Sequence, residues 1–246
     1  MSARDATGGG CVAAGTLNHM LTRPSYAKRR QRDGGSAMSD TIEFRILELI
    51  NARLCHELVS PVGAISNGVE LLDDDDPGFV RDAIRLIGQS ARKAAQRLQF
   101  YRFAYGTAAT ASGTAAGSGR DLAAGLLEGG KVRCDWSDET ADWPVDWQRL
   151  ACNMLVLAAE ALPRGGTVLI RPLPAGGSGV EVAAEGESVN FGPEMRSALD
   201  PAATAAQLTS RTVHAYFTAR LALQLGTRLA LDAAEAQRAL FSAAAR

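Results

Sequence analysis

This chain has no surplus of charge. Its 246 residues carry 26 basic and 27 acidic side chains, a formal net charge of −1. A general nucleic-acid binder needs a basic excess to displace counterions, so that class is disfavoured. No apolar run approaches the ~20 residues needed to cross a bilayer, and the first residues lack the apolar core of a secretion signal. A cytoplasmic protein that engages neither membrane nor nucleic acid is therefore expected. Paired cysteines are missing too. Cys11, Cys55, Cys134 and Cys152 are widely separated, with no metal or redox spacing, and read as free thiols, Cys152 in a core. What is present is ordinary for a globular protein: 46% hydrophobic and 22% charged residues.

Residues 1–37 are rich in Gly, Ser, Ala and Arg without apolar periodicity and read as a disordered tail. From Thr41 to Leu72, the residues Leu47, Ile50, Leu54, Leu58, Val62, Ile65, Val69 and Leu72 recur at threes and fours, one face of a long helix. Asp73–Asp76 with Pro77 and Gly78 form a turn, Asp76 as cap and Pro77 as first helical residue. A second helix follows through Val80, Ile84, Ile87, Ala91, Ala94, Leu98, Tyr101 and Tyr105 in an alternating four-three seam. Residues 38–107 thus make an antiparallel hairpin whose two apolar stripes it cannot cover alone. Pairing with a second copy gives a four-helix bundle, so a homodimer is expected.

Residues 108–118 are small and polar and read as a linker. Over 119–246 the period changes. Helices are expected at Leu122–Leu127, from a cap at Asp146 to about Leu162, at Glu194–Leu199 and at Val213–Leu225. Strands are expected at Lys131–Trp136, Val168–Arg171, Val180–Ala184, Leu229–Leu231 and Ala239–Ser242. The fold class is α+β, a helical hairpin followed by an α/β sandwich with a mainly antiparallel sheet.

The chemistry concentrates at Cys55-His56-Glu57-Leu58-Val59-Ser60-Pro61-Val62. At roughly 100° per residue His56 lies about 180° from the centre of the apolar stripe, with Arg53, Ser60, Gly63 and Asn67 broadly on its side. Neutral imidazole is a good nitrogen nucleophile near neutral pH. Glu57 can orient the ring or take its proton. Ser60, one turn on, can meet a transferring phosphoryl group. Pro61 has no N–H and crowds the Glu57 carbonyl, which bends the helix. Gly63 permits close approach of a partner. A lone histidine on a helix is most often only a surface residue; the surrounding run makes the difference.

That His-Glu-Leu-x-Ser-Pro-Val run resembles the phosphoacceptor box of histidine kinases, in which the histidine sits on a dimeric four-helix bundle and the next acidic residue assists transfer. The second half resembles their ATP-binding sandwich in order and length, but not in its boxes. Asn153 matches one asparagine of the magnesium-binding segment, whereas Leu157 stands where the metal-binding one is expected and Glu160 where a Lys is usual. Ala184-Glu185-Gly186-Glu187-Ser188 replaces the adenine loop, and Leu208–Val213 has no glycine to wrap a phosphate. An intact phosphoacceptor box beside a degenerate ATPase domain resembles the ChpT-type histidine phosphotransferases of alphaproteobacteria, over about residues 41–246.

The resemblance implies a phosphorelay. His56 would take its group from the receiver domain of a hybrid kinase (CckA-like) and pass it to CtrA-like and CpdR-like response regulators. Catalysis would rest on His56, Glu57 and Ser60, with Arg53, Pro61, Gly63 and Asn67 at the partner interface. No cofactor would be held tightly, and Mg²⁺ would come with the receiver. Two alternatives stay open: an active homodimeric histidine kinase, and a scaffold never phosphorylated. Asp73–Asp76 reads as a solvated turn, Trp136, Trp143 and Trp147 as packing, and His214 as structural. Arg81, Arg85 and Arg92 are either solvated or placed to steer an acidic receiver.

Overall fold

A computed structural model describes residues 34–73, 75–106, 118–173, 179–200 and 202–245. Helix α1 runs Gly34–Glu70 and continues as a short 3₁₀ turn, Leu71–Asp73. It begins inside the segment read as a tail; residues 1–33 lie outside the described residues. Helix α2, Pro77–Tyr105, starts as expected, with Pro77 in its first turn and Asp76 Oδ1 accepting from Gly78 N at 2.6 Å. The hairpin is tight because Gly68 has no side chain. A Cβ there would stand 2.6 Å from Ile87 Cγ1.

The expected linker falls mostly on 107–117, outside the described residues. Ser118 and Asp121 then form a reciprocal capping box for helix α3, Gly119–Leu127. The rest is β1 (Val132–Trp136), α4 (Val145–Glu160), β2 (Gly166–Pro172), β3 (Gly179–Glu185), α5 (Pro193–Ala198), α6 (Val213–Gln224), β4 (Thr227–Glu235) and β5 (Arg238–Ala245). One helix cap differs from expectation. Pro144 occupies the cap of α4, so Asp146 sits in the first turn, where its carboxylate pairs with Arg149 at 2.9 Å.

The strands form one sheet in the order β1-β2-β3-β5-β4, parallel only between β1 and β2. The crossover between that parallel pair is α4. Alternation along the strands puts Ile170, Val182 and Phe241 in one cross-strand row, all fully buried. Each such side chain contributes about 1.5–3 kcal/mol on leaving water. Leu150, Met154, Leu155 and Leu157 of α4 are likewise fully buried. The turn into β2 requires glycine. Gly165 has φ +92°, and a Cβ on it would meet the Lys131 carbonyl oxygen at 2.5 Å.

The hairpin is not a separate body. Phe100, Tyr101, Phe103 and Ala104, at the end of α2, belong to the same buried cluster as α4 and the sheet. Tyr105 stacks on Tyr101 at 5.5 Å and meets Phe217 of α6 edge-on at 5.0 Å. By contrast the seam residues farther up stay in solvent: Leu47 is 64% exposed, Val62 51%, Val69 52%, Ile84 59% and Leu98 55%. Among the described residues, no helix is long and apolar enough to cross a membrane.

Candidate active site

His56 lies mid-helix on α1 and is exposed, as are Ser60, Gly63 and Asn67. A Cβ on Gly63 would meet nothing within 4 Å, so this side of the helix is open to an approaching molecule. Arg53 corrects the helical-wheel reading, and Pro61 its expected place at the partner interface. Both are buried, so neither belongs to the open surface around His56. The stripe of α1 faces only part of what the helix touches. The second domain also packs against it, through α6 and the 3₁₀ turn Ala205–Gln207.

Arg53 enters that junction. Its guanidinium donates to the Glu160 carboxylate at the end of α4 and to the Arg211 carbonyl oxygen at 3.3 Å. Burial works against its charge, but the Glu160 carboxylate and the Tyr105 and Tyr101 phenols outweigh it and raise the pKa above the ordinary arginine value. Glu160 is thus the counter-ion of Arg53. Residues 107 apart in sequence carry no local signal of this.

A second link is made of neutral groups. The Asn153 carbonyl oxygen can only accept, so at 3.0 Å His214 Nε2 carries the proton; Nδ1 then accepts from Tyr105 Oη at 2.8 Å. Burial first, and then the Arg53 charge, push the His214 pKa down to about 3 against the Asn153 hydrogen bond. Burial likewise raises the Tyr105 pKa. Asn153 spends its amide nitrogen on the Ala104 carbonyl, 3.0 Å away at the end of α2, and on Arg149 O at 2.8 Å. Arg149 in turn donates to the Gly106 carbonyl. The structural reading of His214 therefore holds, with the addition that it ties hairpin to sandwich.

Glu57 points the other way, toward α2. Arg97 Nη1 donates to the Glu57 carbonyl oxygen and stands 3.6 Å from its carboxylate. Arg97 escaped the sequence reading, although the missing N–H of Pro61 had announced an orphan carbonyl at Glu57.

In the second domain Leu157 is core and offers no metal-binding atom, while Asn153 is turned to the hairpin. Among the described residues no group of three or more His, Cys, Asp or Glu is placed to hold a metal ion. A cavity of about 440 Å³ opens between the end of α4 and the start of α5, lined by Glu160, Asn190, Phe191, Glu194, Met195 and Arg211. Of its two carboxylates, Glu160 is paired with Arg53, and Arg211 adds a cation to the same wall. Trp136 is buried and donates to Thr140 Oγ1, and Trp143 and Trp147 are half-buried, as packing residues are.

Residues 118–237 match the model of the histidine phosphotransferase C-terminal domain family. The chain is 32% identical over 200 residues to the protein phosphotransferase ChpT of Brucella abortus (strain 2308), spanning 79% of this chain and 93% of that protein. The 1.7 Å structure of a bacterial phosphotransferase superposes with a TM-score of 0.64 at 29% identity, covering 81% of this chain and 96% of the other.

The neutral, buried His214 makes stability depend on pH. Between its ordinary value of 6.5 and its folded value of about 3, the unfolded chain binds a proton that the folded chain refuses. Stability contributed by this residue is present above 6.5 and is lost as pH falls through that window, at up to about 1.4 kcal/mol per pH unit. Urea unfolding from pH 7 to pH 4 should show a shallower acid loss for His214→Gln than for the wild type; equal slopes would contradict this.

Proposed function

Starting from the family to which the chain belongs, the ChpT-type histidine phosphotransferases, we propose that His56 is the phosphoryl carrier between receiver aspartates. The observation that carries this is an exposed histidine on an open helical face, inside a phosphoacceptor-like run and next to a carboxylate that α2 holds in place. The lone pair of one ring nitrogen attacks phosphorus, and the P–O bond to the donor's aspartate breaks. The aspartate leaves with that electron pair as a carboxylate. The other ring nitrogen bears the proton, which the Glu57 carboxylate accepts as positive charge builds and then releases to solvent. Ser60, one turn along, hydrogen-bonds the phosphoryl oxygens. Gly63 and Asn67 border the docking face. The reverse sequence delivers the group to the next receiver.

The donor in this reading is the receiver domain of a hybrid histidine kinase (CckA-like), and the acceptors are CtrA-like and CpdR-like regulators, in the cytoplasm. Mg²⁺ arrives in the receiver's acidic pocket. The second domain does not use ATP; what supports this is Leu157 in the core and Asn153 spent on Ala104. A functioning kinase domain would require metal-binding and phosphate-binding groups at those positions.

The uncovered seam of the hairpin supports a homodimer. Leu54, Leu58, Leu98, Tyr101 and Tyr105 line a groove of about 600 Å³, and the apolar row continues up both helices. Leu54→Asp with Leu98→Asp should convert the dimer to monomers by light scattering, whereas a wild type that is monomeric at micromolar concentration would contradict this.

For transfer itself, His56→Ala should abolish labelling by a phosphorylated receiver and leave the dimer intact, because the exposed side chain leaves no core cavity. Glu57→Ala should slow transfer by about 10²-fold if the carboxylate serves as general base. The label should be acid-labile and alkali-stable. Retained labelling of His56→Ala, or an acid-stable label, would defeat the proposal.

A further inference from the structure

In an α-helix the carbonyl of residue i accepts from the N–H of residue i+4. For Glu57 that residue is Pro61, which has no N–H, so the carbonyl one residue past His56 loses its helical partner. An unpaired carbonyl beside a buried Pro61 is costly. Arg97, on the facing helix, supplies the missing donor through Nη1. The same nitrogen lies 3.6 Å from Glu57 Oε2. One guanidinium therefore grips both ends of one residue, the backbone at the site of helix weakness and the carboxylate that belongs to the reaction.

We infer that Arg97 is a positioning residue for phosphoryl transfer: by holding the Glu57 carbonyl and carboxylate together it fixes where the general base stands relative to His56. This rests on the role proposed above for Glu57. The ion pair is partly shielded from solvent. A glutamate side chain free on a helix surface samples several rotamers, whereas the Glu57 and Arg97 side chains are only 27% and 33% exposed. Fixing the acceptor in advance removes that search from the barrier, the usual gain from a preorganised base. It also ties α1 to α2 at the turn that carries the nucleophile, so a docking receiver meets a histidine on a braced segment in spite of the proline.

The test is a rate comparison using the full chain and a phosphorylated receiver that labels the wild type. Arg97→Gln should lower the maximal transfer rate about tenfold, leaving the half-saturating receiver concentration and the dimer unchanged. Arg97→Lys, which keeps the positive charge and N–H donors on a single nitrogen, should recover part of the rate. The double variant Arg97→Gln with Glu57→Gln should be no slower than Glu57→Gln alone, since Arg97 acts through Glu57. Additive slowing in the double variant overturns the inference, as does a change confined to half-saturation, which would make Arg97 a docking contact. Should Glu57→Gln transfer slowly while Arg97→Gln keeps the wild-type rate, Arg97 alone loses its role. Should Glu57→Gln itself transfer at the wild-type rate, the role of Glu57 falls, and that of Arg97 with it. A thermal melt of Arg97→Gln that shows loss of fold shifts the decision to Arg97→Lys, for which an unrecovered rate overturns the inference.

Discussion

A guanidinium that never gives up its proton cannot sit between two packed domains without a counter-ion. Arg53 is in that position, one turn before His56, and Glu160 answers it from the far end of α4. Much of the arrangement depends on this pair. It spans the junction between the second domain and the hairpin, and next to it the neutral Tyr105–His214–Asn153 chain closes the same junction without adding charge. The Arg53 charge in turn helps keep His214 neutral. Removing Glu160 would leave the guanidinium buried and unpaired.

The consequence for function is mechanical. A kinase domain that delivers ATP to a histidine has to move relative to its helices. Here the second domain is fastened to the hairpin by Arg53, Arg149, Asn153 and Tyr105, and in the proposed reading the core Leu157 of α4 stands where a metal ligand would be needed. His56 is left exposed on a helix turn held from two sides, by Glu160 through Arg53 and by α2 through Arg97. That arrangement suits a receiver arriving from outside better than a nucleotide presented from within.

Much of this was legible in the amino-acid order, and the exceptions share a cause. The hairpin, all five strands and the later helices follow from periodicity and turn residues, because those signals are local. The exposure of His56 followed from its angle to the stripe. Arg53 was misplaced because a helical wheel knows one apolar direction, and α1 has a second neighbour in the 205–213 region, far away in sequence. Glu160 read as a lost lysine, when its partner stands 107 residues upstream. Arg97 was foreshadowed by the missing amide of Pro61, but nothing local says which residue supplies the replacement donor.

The central claim is that phosphate reaches His56 from a receiver and not from ATP. The most direct measurement offers the full chain radiolabelled ATP with Mg²⁺ in one reaction and a phosphorylated receiver with Mg²⁺ in another, then maps the label by peptide. The account predicts an acid-labile label on the His56 peptide in the second reaction and none in the first. Label acquired from ATP alone, or a receiver-derived label on any other residue, would contradict it.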